Sequence, residues 1–250
     1  MYSMLAQTNP QVFGWEHLTF LAVFIVFMIA SLLLVKFFAK NEKVQDIVVR
    51  CAGVLLLIFI MWNRIAICIS HQRATYLIPD SFCGMSSLVL ALAVTFGRRN
   101  NNVLHFVFYF AILGDVLSMF YPDFIGQASS IFYSNTISGL LHHSFGFLVC
   151  VLLCMVGWFK PNYKKSGNIV IGFMAYITIG AFMMSVFDYS DAFYINNPIL
   201  SGTPFTVWVL IPIFVALYAL FMVSYELTRR KLQKRNDSFT KIKKVLNEKF

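Results

Sequence analysis

The sequence predicts an all-α integral membrane protein, a bundle of seven transmembrane helices with the N-terminus outside and the C-terminus in the cytoplasm. Of the 250 residues, 59% are hydrophobic and 12% are charged, whereas soluble domains are about 45–50% apolar and about 25% charged. Seven apolar stretches each come near the roughly 20 residues that a helix needs to cross a bilayer. They are continuous and do not alternate with polar residues, so a β-barrel is not expected.

The predicted helices span residues 16–38, 46–69, 80–97, 103–121, 132–159, 168–187 and 205–227. The first stretch is too long for a cleavable signal peptide, lacks a basic segment before it, and is followed by lysines that stop translocation. The sequence has no internal repeat and no separate soluble domain. We therefore expect a single transmembrane domain over residues 1–228 and a basic cytoplasmic tail over residues 229–250.

Basic residues are concentrated in alternate connections between the predicted helices. The first, third and fifth connections hold Lys36, Lys40, Lys43, Arg50, Arg98, Arg99, Lys160, Lys164 and Lys165, and the tail holds nine more. Cytoplasmic loops of membrane proteins are enriched in Lys and Arg, so this alternation predicts both the seven spans and their orientation. The net charge of +9 then needs no nucleic acid to explain it. We expect a multi-pass protein of the cell (plasma) membrane.

The tail has two possible interpretations. Its residues Phe239, Ile242, Leu246 and Phe250 recur at near-helical spacing among lysines, a pattern that favours binding to anionic inner-leaflet lipids. Alternatively, the tail is solvated and only fixes the orientation of the chain. Membrane lipids are the expected partners, and nothing identifies a protein partner.

Ionisable residues of several predicted helices fall at one depth. At 1.5 Å per residue, Arg64, Cys83 and Asp115 lie about 6–10 Å inside the outer boundary, and His143 lies about 13 Å inside it. Ionisable groups in a membrane are costly and normally face the bundle interior or a wet cavity. We therefore predict a pocket that opens toward the outer leaflet.

His142 and His143 are neighbours on the fifth predicted helix and point about 100° apart. The face of His143 also carries Gly139, Gly146 and Cys150, which are small and let a neighbouring helix approach closely. His142 lies above Ser138 and is more typical of a contact between helices. The pattern favours His143 as the functional histidine and leaves His142 as a candidate for substrate orientation.

Cys83 lies in the motif "DSFCG" at the start of the third predicted helix. A cysteine in a membrane span is usually a small apolar residue, but unpaired N–H groups at a helix start favour a thiolate. The thiol also needs a nearby base in a low dielectric, which His143 can supply. Cys51, Cys68, Cys150 and Cys154 lack these surroundings and are expected to serve in packing, without disulfides.

Asp115 and Arg64 also have two possible roles. They either pair with each other, or Arg64 holds a phosphate headgroup while Asp115 orients an imidazole. His17 is expected to orient a partner group or to contact headgroups. Asn63 and Ser81 are further candidates for binding or orienting the substrate.

Signatures of soluble enzymes are missing from the sequence. It contains no GxSxG, Walker A, GxGxxG or CxxC motif and no HxxxxD motif of soluble acyltransferases. We therefore expect neither a metal nor a cofactor.

An ordered set of short motifs resembles a known family. These are Glu16-His17-Leu18, the Pro79-x-x-x-Cys83-Gly84 segment, Gly114 followed by Pro122-Asp123, and a helix-5 histidine before Phe159-Lys160-Pro161. The set, over residues 14–228, resembles the YwaF-like bacterial membrane proteins, which are related to the eukaryotic transmembrane-protein-164 family.

The resemblance implies a multi-span helical bundle and, from the eukaryotic branch, a lipid acyltransferase that uses a Cys and a His. The cysteine corresponds to Cys83, and the spacing to the Phe-Lys-Pro motif assigns the histidine to His143. This chain has Ser81 where the family usually has a further histidine.

Three functions are compatible with these residues. The leading hypothesis is a lipid acyltransferase in which a Cys83 thioester forms with His143 as the base. A proton-coupled transporter is the second, although polar residues should then continue into the inner half, where only His105 is found. The third is a non-catalytic receptor or assembly protein whose polar layer fastens the helices together.

Overall fold

The computed structural model describes residues 9–199 and 202–247, with side chains described up to 231 and at 233. This part of the chain forms seven α-helices: α1 Trp15–Phe38, α2 Glu42–His71, α3 Phe82–Thr95, α4 Leu104–Phe120, α5 Ser134–Met155, α6 Gly167–Val186 and α7 Val207–Asn247. No strand occurs within it. The prediction of an all-helical fold with seven helices is confirmed.

Five of these helices (α1, α2, α5, α6 and α7) are long and apolar enough to cross a membrane, which makes the chain a multi-pass membrane protein. The other two are shorter than predicted: α3 has 14 residues and α4 has 17. Helix α3 begins later than expected because the Ser81 hydroxyl caps it by accepting a hydrogen bond from the Gly84 N–H. Helix α5 ends at Met155 rather than at residue 159.

The centre of the bundle consists of α2, α3, α4 and α5, which pack against one another. Helices α6 and α7 attach to α4 through aromatic rings. Phe110 of α4 stacks on Phe214 of α7 with centroids 3.9 Å apart, and Tyr109 meets Tyr218 at 4.8 Å. Helix α1 lies at the edge, where it contacts α5.

One end of the bundle gathers the basic connections, and we call it the basic end. Arg99, between α3 and α4, donates a hydrogen bond to the Asp46 carboxylate of α2 at 2.8 Å. The indole N–H of Trp158, after α5, reaches the same carboxylate oxygen at 2.8 Å. Asp46 thus ties two connections to the start of α2.

At the opposite end, the connection between α6 and α7 folds back over the start of α3. The Phe193 N–H donates to the Asp80 carbonyl at 2.7 Å, and the Val207 N–H donates to the Tyr194 carbonyl at 2.7 Å. Phe193 and Tyr194 both have left-handed backbones, with φ of 55° and 57°, a conformation that non-glycine residues adopt only at a cost. These two hydrogen bonds hold the loop in that conformation.

Helix α7 continues well past the predicted boundary at residue 227, and its backbone remains helical to Asn247. The side chains of Phe239, Ile242 and Leu246, and all of Phe250, lie outside the described residues. The amphipathic pattern of the tail therefore stays a prediction.

Candidate functional site

A cavity of about 660 Å³ lies at the end of the bundle where α3 begins. Helices α2, α3, α4, α5 and α7 line it, together with the α4–α5 and α6–α7 connections. Six of the predicted site residues are in its lining: Asn63, Arg64, Ser81, Cys83, His142 and His143. Asp115 lies behind the lining, and His17 lies elsewhere.

His143 and Asp115 form a buried pair that joins α5 to α4. The Nδ1 atom of His143 is 2.9 Å from Oδ1 of Asp115, and the aspartate is completely buried. Helix α5 has Gly146 at the point of contact, and a side chain there would overlap the Asp115 carboxylate. The carboxylate fixes the tautomer of the ring when Nδ1 carries the proton, which leaves Nε2 as the basic nitrogen.

His142 lies beside His143 with ring centroids 3.9 Å apart. Its Nδ1 is 3.1 Å from the Ser138 carbonyl, one turn earlier in α5. Its Nε2 is buried and has no hydrogen-bond partner among the described residues. The two histidines thus have different protein partners, as their 100° separation predicts, yet both line the cavity.

Cys83 reaches the cavity from the first turn of α3. Its sulfur packs so closely on Gly114 of α4 that a Cβ there would lie 2.8 Å from Sγ. Ser118 of α4 lines the same cavity. In the described part of the chain, no hydrogen bond joins the thiol to His143, although both side chains line the same cavity.

Arg64 presents a buried guanidinium, 7% exposed, at the cavity wall. It donates to the Asn63 side chain at 2.7 Å and makes a loose ion pair with Asp80 at 4.0 Å. Its Nε has no partner among the described residues. The first interpretation of Asp115 and Arg64, that they pair with each other, is wrong, because Asp115 binds His143 and Arg64 faces Asp80.

His17 does not line the cavity. Its Nδ1 accepts a hydrogen bond from the Phe13 N–H at 3.1 Å, and its Nε2 is 2.8 Å from the Met119 carbonyl. Both ring nitrogens are thus occupied by the backbone, and the ring is completely buried. This corrects the expectation that His17 orients or contacts a substrate group: it fastens the start of α1 to the end of α4.

The lining residues that the sequence analysis missed include Asn135, Ser118 and Tyr194. Asn135 precedes His142 by seven residues, which places both on one face of α5, so helical spacing could have found it. Tyr194 lies in an irregular loop, where no periodicity points to it. Burial raises the pKa of the Tyr194 phenol, so this side chain remains an uncharged hydroxyl near neutral pH.

Asp123 follows Pro122 in the α4–α5 connection, and its side chain lines the cavity. Among the described side chains, no three His, Cys, Asp or Glu residues come together in a way that could hold a metal ion.

The cavity has an apolar rim on the outer surface of the bundle. Leu117 of α4, Ile199 of the α6–α7 connection and Ile213 of α7 line it, with 59%, 44% and 41% of their surface exposed. These three exposed side chains make one side of the cavity mouth apolar.

Residues 12–227 match the model of the TMEM164 family. No curated protein matches the chain significantly, and no solved structure does so either. The match covers most of the chain and includes all the cavity-lining residues described above. The chain therefore belongs to the TMEM164 family.

Proposed function

We propose that this protein is a lipid acyltransferase that carries a fatty acyl chain on Cys83 as a thioester, with His143 as the base. The observation that carries the proposal is that Cys83, His143 and Arg64, which come from three different helices, line one cavity. A nucleophile, an oriented base and a cation in one partly apolar cavity suit the cleavage of a phospholipid ester.

The reaction has two balanced steps. In the first, the Cys83 sulfur attacks the ester carbonyl of a donor lipid while His143 Nε2 takes the thiol proton. The bond to the lipid oxygen then breaks, and His143 returns the proton to that leaving oxygen. In the second, a hydroxyl of the acceptor lipid attacks the thioester, His143 removes its proton, and the proton passes to the departing sulfur.

Asp115 supports this chemistry by holding His143 through Nδ1, which leaves Nε2 as the nitrogen available for proton transfer. Among the described residues, no hydrogen bond joins the thiol to the imidazole. Catalytic hydrogen bonds often tighten only in the complex with substrate, and a substrate ester between the two groups would connect them.

Arg64 is the residue that we propose to bind the phosphate of the headgroup. Its charge is buried and only loosely paired with Asp80, so an anionic oxygen would gain a charge-assisted hydrogen bond. Asn63, Ser81 and His142 line the cavity near Arg64 and are the further residues that we propose to orient the substrate.

The proposal includes an orientation of the whole chain. All seven helices cross the bilayer within one domain over residues 1–228, with the N-terminus outside, so the Cys83 cavity opens toward the outer leaflet. The alternation of Lys and Arg between connections supports this. Residues 229–250 then form a cytoplasmic tail near anionic inner-leaflet lipids. We place the chain in the plasma membrane and in the YwaF-like bacterial branch of the family.

The experiment follows acyl exchange in proteoliposomes that contain a phospholipid with a labelled acyl chain. Cys83→Ser and His143→Ala are each expected to lower the exchange rate by at least about 10²-fold. Cys51→Ser and His71→Ala change exposed residues outside the cavity and serve as matched controls. If both site variants exchange acyl chains as fast as the controls, the proposal is wrong.

A non-catalytic assembly protein is the second candidate. The observation that favours it is that the Asp115–His143 pair alone can fasten α4 to α5, without help from Cys83. In that case His143→Ala lowers the unfolding temperature strongly, while no variant changes the composition of the surrounding lipid. Wild-type exchange above that of empty liposomes excludes this candidate.

A further inference from the structure

A second cavity, of about 670 Å³, lies at the basic end of the bundle, away from Cys83. The turn after α5 forms one wall and α7 forms the other. Four cations line it, Lys160, Lys164, Arg229 and Arg230, and Glu226 is the one carboxylate among the lining residues.

The positive charge of this cavity is largely uncompensated. Oxygen Oε1 of Glu226 accepts hydrogen bonds from both Arg229 and Arg230, each at 3.0 Å. Neither Lys160 nor Lys164 forms an ion pair with a described residue, and both are exposed. A concave surface with such an excess of cations attracts anions.

The lysine-bearing turn is held in a fixed shape. Asn100 accepts a hydrogen bond from the Lys160 N–H at 3.2 Å and donates its own N–H to the Trp158 carbonyl at 3.0 Å. Asn162 accepts from the Lys164 N–H at 3.0 Å. Since the backbone at both lysines is ordered beforehand, an anion bound there pays a smaller entropic cost.

The apolar side of the cavity is formed by α7, where Met222 and Tyr225 line it. Met222 is 7% exposed and continues into the core of the bundle, where it contacts Tyr109. The cavity has cations at its rim and apolar residues toward the bundle. This order of polarity corresponds to that of a lipid, whose charged headgroup is followed by apolar acyl chains.

We propose that this cavity binds a negatively charged phosphate group, with Lys160 and Lys164 as its main contacts. The phosphate belongs either to an anionic phospholipid or to a soluble phosphate compound. The site is separate from acyl transfer at Cys83 and does not depend on it.

The test uses the full-length protein in detergent micelles and measures the affinity of three ligands from the shift in unfolding temperature. The ligands are dioctanoyl phosphatidylglycerol, dioctanoyl phosphatidylcholine and inorganic phosphate. We expect phosphatidylglycerol to bind more tightly than zwitterionic phosphatidylcholine. The double variant Lys160→Gln/Lys164→Gln should weaken that binding by about tenfold or more.

The matched control is Lys36→Gln/Lys40→Gln, which removes two exposed lysines outside the cavity and should change the affinity by less than about twofold. If wild type binds inorganic phosphate and the Lys160→Gln/Lys164→Gln variant does not, the ligand is a soluble phosphate compound. If wild type binds phosphatidylglycerol but not inorganic phosphate, the ligand is a lipid. The proposal fails if the double variant binds like wild type, if the control pair loses as much, or if phosphatidylcholine binds equally well. If the double variant folds poorly, the single variant Lys164→Gln is used instead, and its affinity for phosphatidylglycerol is judged by the same criteria.

Discussion

Asp115 is the residue through which the base and its surroundings are connected. One oxygen binds His143 at 2.9 Å and lies 3.4 Å from the Ser87 hydroxyl, while the other is buried without a partner among the described residues. A buried carboxylate with so few partners is costly. We infer that its value lies in orienting His143.

Asp115→Asn tests this role. The amide has the same shape and its oxygen accepts from the same ring nitrogen, so the unfolding temperature should change little. The amide does not stabilise an imidazolium, so the turnover rate should fall on the order of 10²–10⁴-fold. Rates of acyl exchange and thermal unfolding are measured on the same preparation.

Asp188→Asn, at an exposed carboxylate in the α6–α7 connection, is the control and should leave both quantities unchanged. A large loss of stability in Asp115→Asn with an unaltered rate would mean that the pair is only a structural fastener.

The sequence identified most of the site residues but not their partners. Cys83, Arg64 and His143 were found because ionisable groups in a span are expensive and converge on one layer. Which side chains pair depends on the rotation of each helix about its axis and on the positions where Gly114 and Gly146 let a neighbouring helix approach closely. The depth of a residue in the membrane determines neither. His17 lies near the same end but is fixed to the backbone of α4, a lateral position that depth alone does not predict.

At the scale of helices, the contact between α4 and α5 depends on the small face of α5 that carries Gly146. The Asp115 carboxylate occupies the space that a side chain at this position would need. Small residues at such contacts let two membrane helices approach closely enough for side chains to bond across them.

Gly146→Ala is therefore expected to push α4 from α5 and to destabilise the protein by about 1–3 kcal/mol, with loss of acyl exchange. Gly167→Ala is the matched control: it lies at the start of α6, and nothing is within 4 Å of the added Cβ. Thermal unfolding in micelles measures both. Equal unfolding temperatures for the two variants would contradict the close contact.

Element boundaries were predictable where composition changes sharply and less so elsewhere. Helix α1 begins and ends within one residue of its predicted limits, because lysines follow its apolar run. Helix α7 was predicted to stop at residue 227, where the apolar run ends, but its backbone continues through charged residues to Asn247. Lys, Arg and Glu are good helix formers, so the end of hydrophobicity did not mark the end of the helix.

For the whole molecule, the proposed seven spans require the short helices α3 and α4 to cross the bilayer as well. At 1.5 Å per residue they are about 21 and 26 Å long, against about 30 Å of hydrocarbon. Both lie in the centre of the bundle, where neighbouring helices and connections can complete the crossing.

Labelling of single cysteines in a background without the native ones tests the seven spans. His71→Cys and Ser129→Cys should react with an impermeant maleimide from outside, whereas Arg98→Cys should react only after the membrane is opened. These three positions flank α3 and α4 and are exposed. Reaction of all three from one side would exclude the seven-span arrangement.

The central claim is that Cys83 carries the acyl chain, and the most direct measurement looks for that intermediate. Purified protein is incubated with a phospholipid labelled in its acyl chain, without an acceptor lipid, and label bound to the protein is measured before and after hydroxylamine treatment. We predict hydroxylamine-sensitive label on wild type, none on Cys83→Ser, and much slower labelling of His143→Ala. The claim is contradicted if Cys83→Ser takes up hydroxylamine-sensitive label. It is also contradicted if wild-type protein exchanges acyl chains but takes up no label.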